Sequence, residues 1–219
     1  MDVFSARAKK ANQVWYVVPG NHDDYDQIDA LVPNHYSSAY PLGKFRDNIL
    51  LLPRGFRWKW DNTSFVALGG APSVDRAVRV RNKWGWWPQE AITREDVDVT
   101  VAGGYADVMI THDAPFGSEQ IARHIKGNPF GFQTEDLLYA AEGREILSEA
   151  VAGVKPKILI HGHYHYKVVE RVNYEDFTFM QYGLNKDDVN HSIGFIDTET
   201  QHTEIWDLML DYNQYKWNK

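Results

Sequence analysis

Residues 157–165 read KILIHGHYH. Lys157 leads into Ile158, Leu159 and Ile160, a short apolar run of the kind that forms a buried strand. The run stops at His161, and Gly162 opens a loop in which His163 and His165 flank Tyr164. Two other stretches share this pattern. Residues 13–23, QVWYVVPGNHD, place an apolar β-prone run before Pro19-Gly20 and then Asn21, His22 and Asp23. Residues 107–113, DVMITHD, pass through Val108, Met109 and Ile110 to Thr111, His112 and Asp113. Open α/β sheets assemble their sites at the carboxyl ends of strands. The three loops are therefore expected to converge.

Outward from these stretches, strands and helices alternate. Residues 3–12, rich in Ala, Arg and Lys, read as the end of a helix, with Asp2 capping the helical stretch. Runs at 48–53, 56–60 and 63–70 read as strands, with hairpins expected around Pro53-Arg54-Gly55 and around Asp61-Asn62. Residues 88–96 have the character of a helix start, with Pro88 at its first position. The best helix is 134–152, with Thr134 as its N-cap and Leu137, Leu138, Ala141 and Ile146 toward the core. The runs YKVVERV, FTFMQY, SIGFID and TEIWDL close the chain as strands. The pattern predicts one domain over residues 1–219 with a layered α/β fold.

Composition narrows the function classes. The 219 residues carry a formal charge of −7, which disfavours an extended nucleic-acid footprint. There are no cysteines, so disulfides, thiolate zinc sites and cysteine nucleophiles are excluded. No apolar run reaches the roughly 20 residues of a membrane span. The first residues lack the apolar core of a secretory signal, so a cytoplasmic location away from membranes is expected. Imidazole nitrogens with an amide oxygen suit Mn, Fe, Zn, Co or Ni better than Ca or Mg.

Gly20-Asn21-His22-Asp23, then His112, then Gly162-His163-Tyr164-His165 resemble the second half of the calcineurin-like metallophosphoesterase signature. That signature runs DxH, GDxxD, GNH[DE], [GH]H, GHxH. The segments LLPRGFRW at 51–58, ALGGAPSVDR at 67–76, WWP at 86–88, DVMITHDAP at 107–115 and Tyr182-Gly183-Leu184-Asn185 resemble a bacterial and phage branch of the family. The resemblance implies an α/β/β/α sandwich of two mixed sheets flanked by helices. It also implies a hydrolase acting on a small phosphomonoester, phosphodiester or nucleotide. Neither DxH nor GDxxD is present in the 219 residues. On this resemblance a strand–helix–strand unit is missing, and the chain is expected to be a truncated or mis-started form with exposed apolar sheet edges.

By the same resemblance, Asn21, His112 and His163 would bind one divalent metal and His165 the other, with Mn²⁺ the first expectation. His22 would face the leaving-group oxygen. Without the absent carboxylates, both ions are expected to bind weakly. Bland readings stand beside these roles. Asn21 is also a good turn residue. His112 and His161 could be buried structural histidines, His161 otherwise supporting the ligands. Asp23 and Asp113 would either orient histidines or lie on the surface. Arg76 and Arg79 would contact phosphate or sit in an ion-paired loop. Trp84, Trp86 and Trp87 would stack on a base or simply pack. A catalytically inactive phosphate- or nucleotide-binding or regulatory protein is the alternative to the enzyme.

Overall fold

The computed structural model of the protein describes residues 2–32 and 42–207. The first helix, α1 (Asp2–Lys10), is followed by β1 (Trp15–Val17), α2 (Tyr25–Leu31), β2 (Gly43–Arg46) and β3 (Ile49–Leu51). Then come β4 (Arg57–Trp60), β5 (Thr63–Leu68), α3 (Arg76–Asn82), a 3-10 turn (Pro88–Glu90), α4 (Arg94–Ala102) and β6 (Val108–Thr111). The chain continues through α5 (Glu119–Ile125), α6 (Thr134–Val154), β7 (Ile158–His161), β8 (Val168–Asn173), β9 (Thr178–Gly183), β10 (Gly194–Ile196) and β11 (Thr203–Ile205).

Both larger sheets are mixed, so the fold is α/β. The six-stranded sheet has the order β4-β5-β6-β7-β9-β8. Its four central strands are parallel, and β4 and β8 pair antiparallel at the two edges. A smaller sheet, β1-β3-β2, pairs β1 with β3 in parallel and β2 with β3 antiparallel. The hairpin β10-β11 stands apart.

The strand period of two divides each strand of the large sheet between its faces. Val66, Leu68, Met109, Leu159, Val172 and Phe179 point to one face and pack against α4 and α6, chiefly Val97, Leu147, Val151 and Val154. Each fully buried Leu or Val there contributes about 1.5–3 kcal/mol. Phe65, Val108 and Ile158 point to the other face, joined by the half-buried Trp58, Ile110, Ile160, Tyr182 and Ile196. Tyr16 of β1 reaches this face, stacking on Trp58 at 6.4 Å. Cover is thinner on this side, where Tyr16 and Trp60 are exposed. Among the described residues β1 is an edge strand.

Several expectations are revised. The hairpin at Asp61-Asn62 forms, with Asp61 at φ 47°. No hairpin forms at Pro53-Arg54-Gly55, because β3 and β4 belong to different sheets. Buried Arg54 crosses that junction, bonded to the carbonyls of Gly69, Gln89, Glu90 and Ala91 and paired with Asp96 at 2.8 Å. Asp2 does not cap α1 but pairs with Arg46 at 2.6 Å. In α6 the N-cap is Gln133, with Thr134 inside the helix, and Leu138 is 60% exposed. The arginine-bearing stretch after Gly69-Gly70 is helical, forming α3. The helix start at 88–96 splits into the 3-10 turn and α4, whose Thr93 and Asp96 form a capping box. The run TEIWDL is strand only over Thr203–Ile205, and its last residue, Leu208, lies outside the described residues. Among the described residues, no helix is long and apolar enough to cross a membrane.

Candidate functional site

The parallel strands β5, β6 and β7 point the same way, so their carboxyl ends open on one rim. The loop after β1 is tied to that rim, since Gly70 N donates to Pro19 O at 2.8 Å. Three sequence-distant side chains consequently meet. His112 Nε2 lies 2.9 Å from Asn21 Oδ1 and 3.2 Å from His163 Nδ1. Exposed His22 and His165 complete the group, close enough for each to depress the basicity of His163.

Local chemistry sets the first loop. Asp23 Oδ2 accepts from Gly20 N at 2.6 Å, and Tyr25 Oη donates to Gly20 O at 3.0 Å. Asp24 caps α2 directly behind it. Gly20 is needed for closeness, since a Cβ there would fall 2.6 Å from His112 Cε1. Asn21, 3% exposed, donates from Nδ2 to Ser73 Oγ at 3.0 Å, and Arg79 Nη1 donates to Asn21 O at 2.9 Å.

The third loop is strained. His163 and His165 both adopt the left-handed conformation, at φ 66° and 51°. Non-glycine residues take this region at a cost and tend to do so where function demands it. Tyr164 between them donates to buried Asp113 at 2.8 Å, and Asp113 also accepts from Ala114 N at 2.7 Å. Arg144 lies under this corner, donating to Ala114 O and Pro115 O with its guanidinium 5.7 Å from the Tyr164 ring.

Burial keeps His112, His161 and His163 neutral. Burial, reinforced by neighbouring imidazoles, lowers His112 and His163 to about 3. Burial lowers His161 to about 4. His22 is lowered by burial and then by the charge of Arg79. Neutral rings keep a lone pair available for a cation.

The remaining candidates hold the frame. His161 is 2% exposed, contacts Gly162 O at 2.9 Å and meets Gln181 Nε2 at 3.1 Å, so it ties β7 to β9. Asp113 orients Tyr164, and Asp23 closes its own loop; among the described residues neither is hydrogen-bonded to a histidine. Arg76 bonds Asp136 at 3.0 Å and lies 4.5 Å over Tyr139. Arg79, 4% exposed, donates to Asn21 O and Ser73 Oγ beside Glu90. Arg79 is committed to the scaffold, whereas Arg76, its side chain 30% exposed, is tied to it through Nε. Trp86 donates to Glu90 and Trp87 packs near Tyr25, whereas Trp84 is 67% exposed. Ser73 and Glu90 were not legible as site residues, since nothing in their local sequence pairs them with the Asn21 loop they hold.

The donor set fits one transition ion. Asn21 Oδ1 and His163 Nδ1 each lie within hydrogen-bond distance of His112 Nε2, and Asn21, His112 and His163 would hold the ion. A second ion does not fit on His165 alone. Among the described residues no group of three or more His, Asp, Glu or Cys side chains forms a cation cage.

Comparison with known proteins adds little. No family model matches the chain, and no curated protein matches it. One similar solved structure is described as GAP50, the anchor in the inner membrane complex of Plasmodium, at 13% identity and a TM-score of 0.24. The match covers 66% of this chain and 49% of that one, so this chain spans about half its length. A likeness of that size carries no argument.

Proposed function

We propose that the protein is a metal-dependent phosphoesterase of the calcineurin-like type, acting in the cytoplasm on a small phosphoester or nucleotide. The observation that carries this reading is the meeting of Asn21 Oδ1, His112 Nε2 and His163 Nδ1 at one sheet rim. A divalent transition ion, when bound, supplies Lewis acidity and a more acidic bound water. Asn21, His112 and His163 would hold that ion, with the exposed His165 beside them at the rim. His22 stands at the exposed rim as a neutral imidazole. Its N–H is suited to stabilising the leaving oxygen by hydrogen bonding more than to donating a full proton. The α/β/β/α sandwich belongs to the same proposal.

A second reading has its own support. The three converging ligands are neutral, with no carboxylate among them, which suits a phosphate- or nucleotide-binding or regulatory domain that does not hydrolyse. Hydrolysis of bis(p-nitrophenyl) phosphate with Mn²⁺, beside a His163→Ala control, separates the two. Activity lost in the control supports the enzyme. Mn²⁺ uptake without turnover on this or a monoester substrate supports the binding domain, and neither uptake nor turnover removes the metal reading.

A further inference from the structure

Asn21 has an amide that can face the histidines with either its oxygen or its nitrogen, and only the oxygen can ligate a cation. Its orientation is decided by Ser73. The Ser73 hydroxyl makes every hydrogen bond available to it. It accepts from Arg79 Nη1 at 3.0 Å and donates to Glu90 Oε2 at 2.7 Å. One lone pair remains, and Asn21 Nδ2 donates to it at 3.0 Å. Glu90 is fully buried, and its other oxygen is already engaged by two groups that can only donate. These are Ser73 N at 2.6 Å and Trp86 Nε1 at 2.9 Å. A reversed Asn21 amide would set oxygen against a hydroxyl whose proton is committed elsewhere.

We infer that Glu90 and Ser73, braced by Arg79 and Trp86, are positioning residues that force Asn21 to present Oδ1 to His112 and His163. The inference deepens the metal reading given above and rests on it for its consequence, but the orientation itself belongs to the metal-free protein. Buried partners of this sort govern how well a ligand is aimed.

Glu90→Gln is nearly isosteric and gives a sharp test. Ser73 N and Trp86 need an acceptor, so the new side-chain oxygen takes that place and its NH₂ faces Ser73 Oγ. The hydroxyl, now receiving two donors, turns its proton to Asn21. The Asn21 amide then reverses. Two readouts follow. In the metal-free protein the ¹⁵N-resolved side-chain amide signals of Asn21 are expected to move in Glu90→Gln and Ser73→Ala, and to stay near wild type in Ser73→Thr. By calorimetry, Mn²⁺ binding is expected to weaken about ten- to a hundredfold in the first two variants and to be retained in Ser73→Thr. Amide signals unmoved in Glu90→Gln, in a variant that melts like wild type, overturn the inference. If Glu90→Gln fails to fold, Ser73→Ala decides by the same signals. Amide signals that move in a protein taking up no Mn²⁺ would uphold the relay and remove the metal reading. Wild-type Mn²⁺ affinity in both variants, with loss in His163→Ala, would do the reverse.

Discussion

His112 Nε2 lies 2.9 Å from Asn21 Oδ1 across a sequence separation of 91 residues. The contact joins the ends of two strands in different sheets, and His163 enters it from a third. If the three form one site, each is needed and none is interchangeable. His112→Ala and His163→Ala are each expected to lower Mn²⁺ affinity beyond detection by calorimetry while leaving the melting temperature within a few degrees. Retained binding in either variant would remove that residue from the ligand set.

Gly20 permits that contact. A Cβ at this position would lie within 2.6–2.9 Å of three atoms of the His112 ring. Gly20→Ala is therefore expected to displace the imidazole and cost about 1–3 kcal/mol in denaturant unfolding. Metal binding should suffer more than the fold, because the ring is the group that must move.

The left-handed backbone at His165 implies a conflict between stability and chemistry. Glycine adopts this conformation without steric cost, although it gives up more freedom on folding. His165→Gly is expected to leave unfolding free energy unchanged or raised by up to about 1 kcal/mol, while reducing Mn²⁺-dependent turnover. A clear loss of stability would indicate that the imidazole packs.

Acid is expected to weaken the metal-free fold through the same histidines. Burial holds His112 and His163 near 3 and His161 near 4, below their unfolded value of 6.5. Above 6.5 these rings are neutral in both states and cost nothing. As pH falls below 6.5 the unfolded chain binds protons that the folded one refuses, so stability drops until the folded values are reached. Each histidine contributes a slope of up to about 1.4 kcal/mol per pH unit. Urea titrations between pH 7 and 4 measure it, and the triple variant replacing all three should flatten it.

Arg54 holds the junction between the two sheets. Its partner Asp96 is fully buried, so Arg54→Met leaves a carboxylate without its counter-charge. The expected loss is about 3–5 kcal/mol, and replacing Asp96 as well should recover part of it. Circular dichroism with urea gives both values.

The strands and their ligand-bearing ends were legible because they are local. VMIT, ILIH and WYV are short apolar runs stopped by turn or polar residues, and that pattern needs no partner to be read. α3 was not legible as a helix, since three arginines within a loop-like stretch give no apolar face. The exposure of Leu138 depended on where α6 meets the sheet, which periodicity alone leaves open.

The site divides in the same way. Asn21, His22, His112, His163 and His165 could be picked out from residue type and position at strand ends. The distances at which they converge, the commitment of Arg79 to the scaffold, and the hold of Ser73 and Glu90 on Asn21 came only with the folded chain. The physical reason is range. Strand propensity and turn chemistry act between near neighbours, whereas hydrogen-bond partners and burial depend on which distant segments the sheet order brings together.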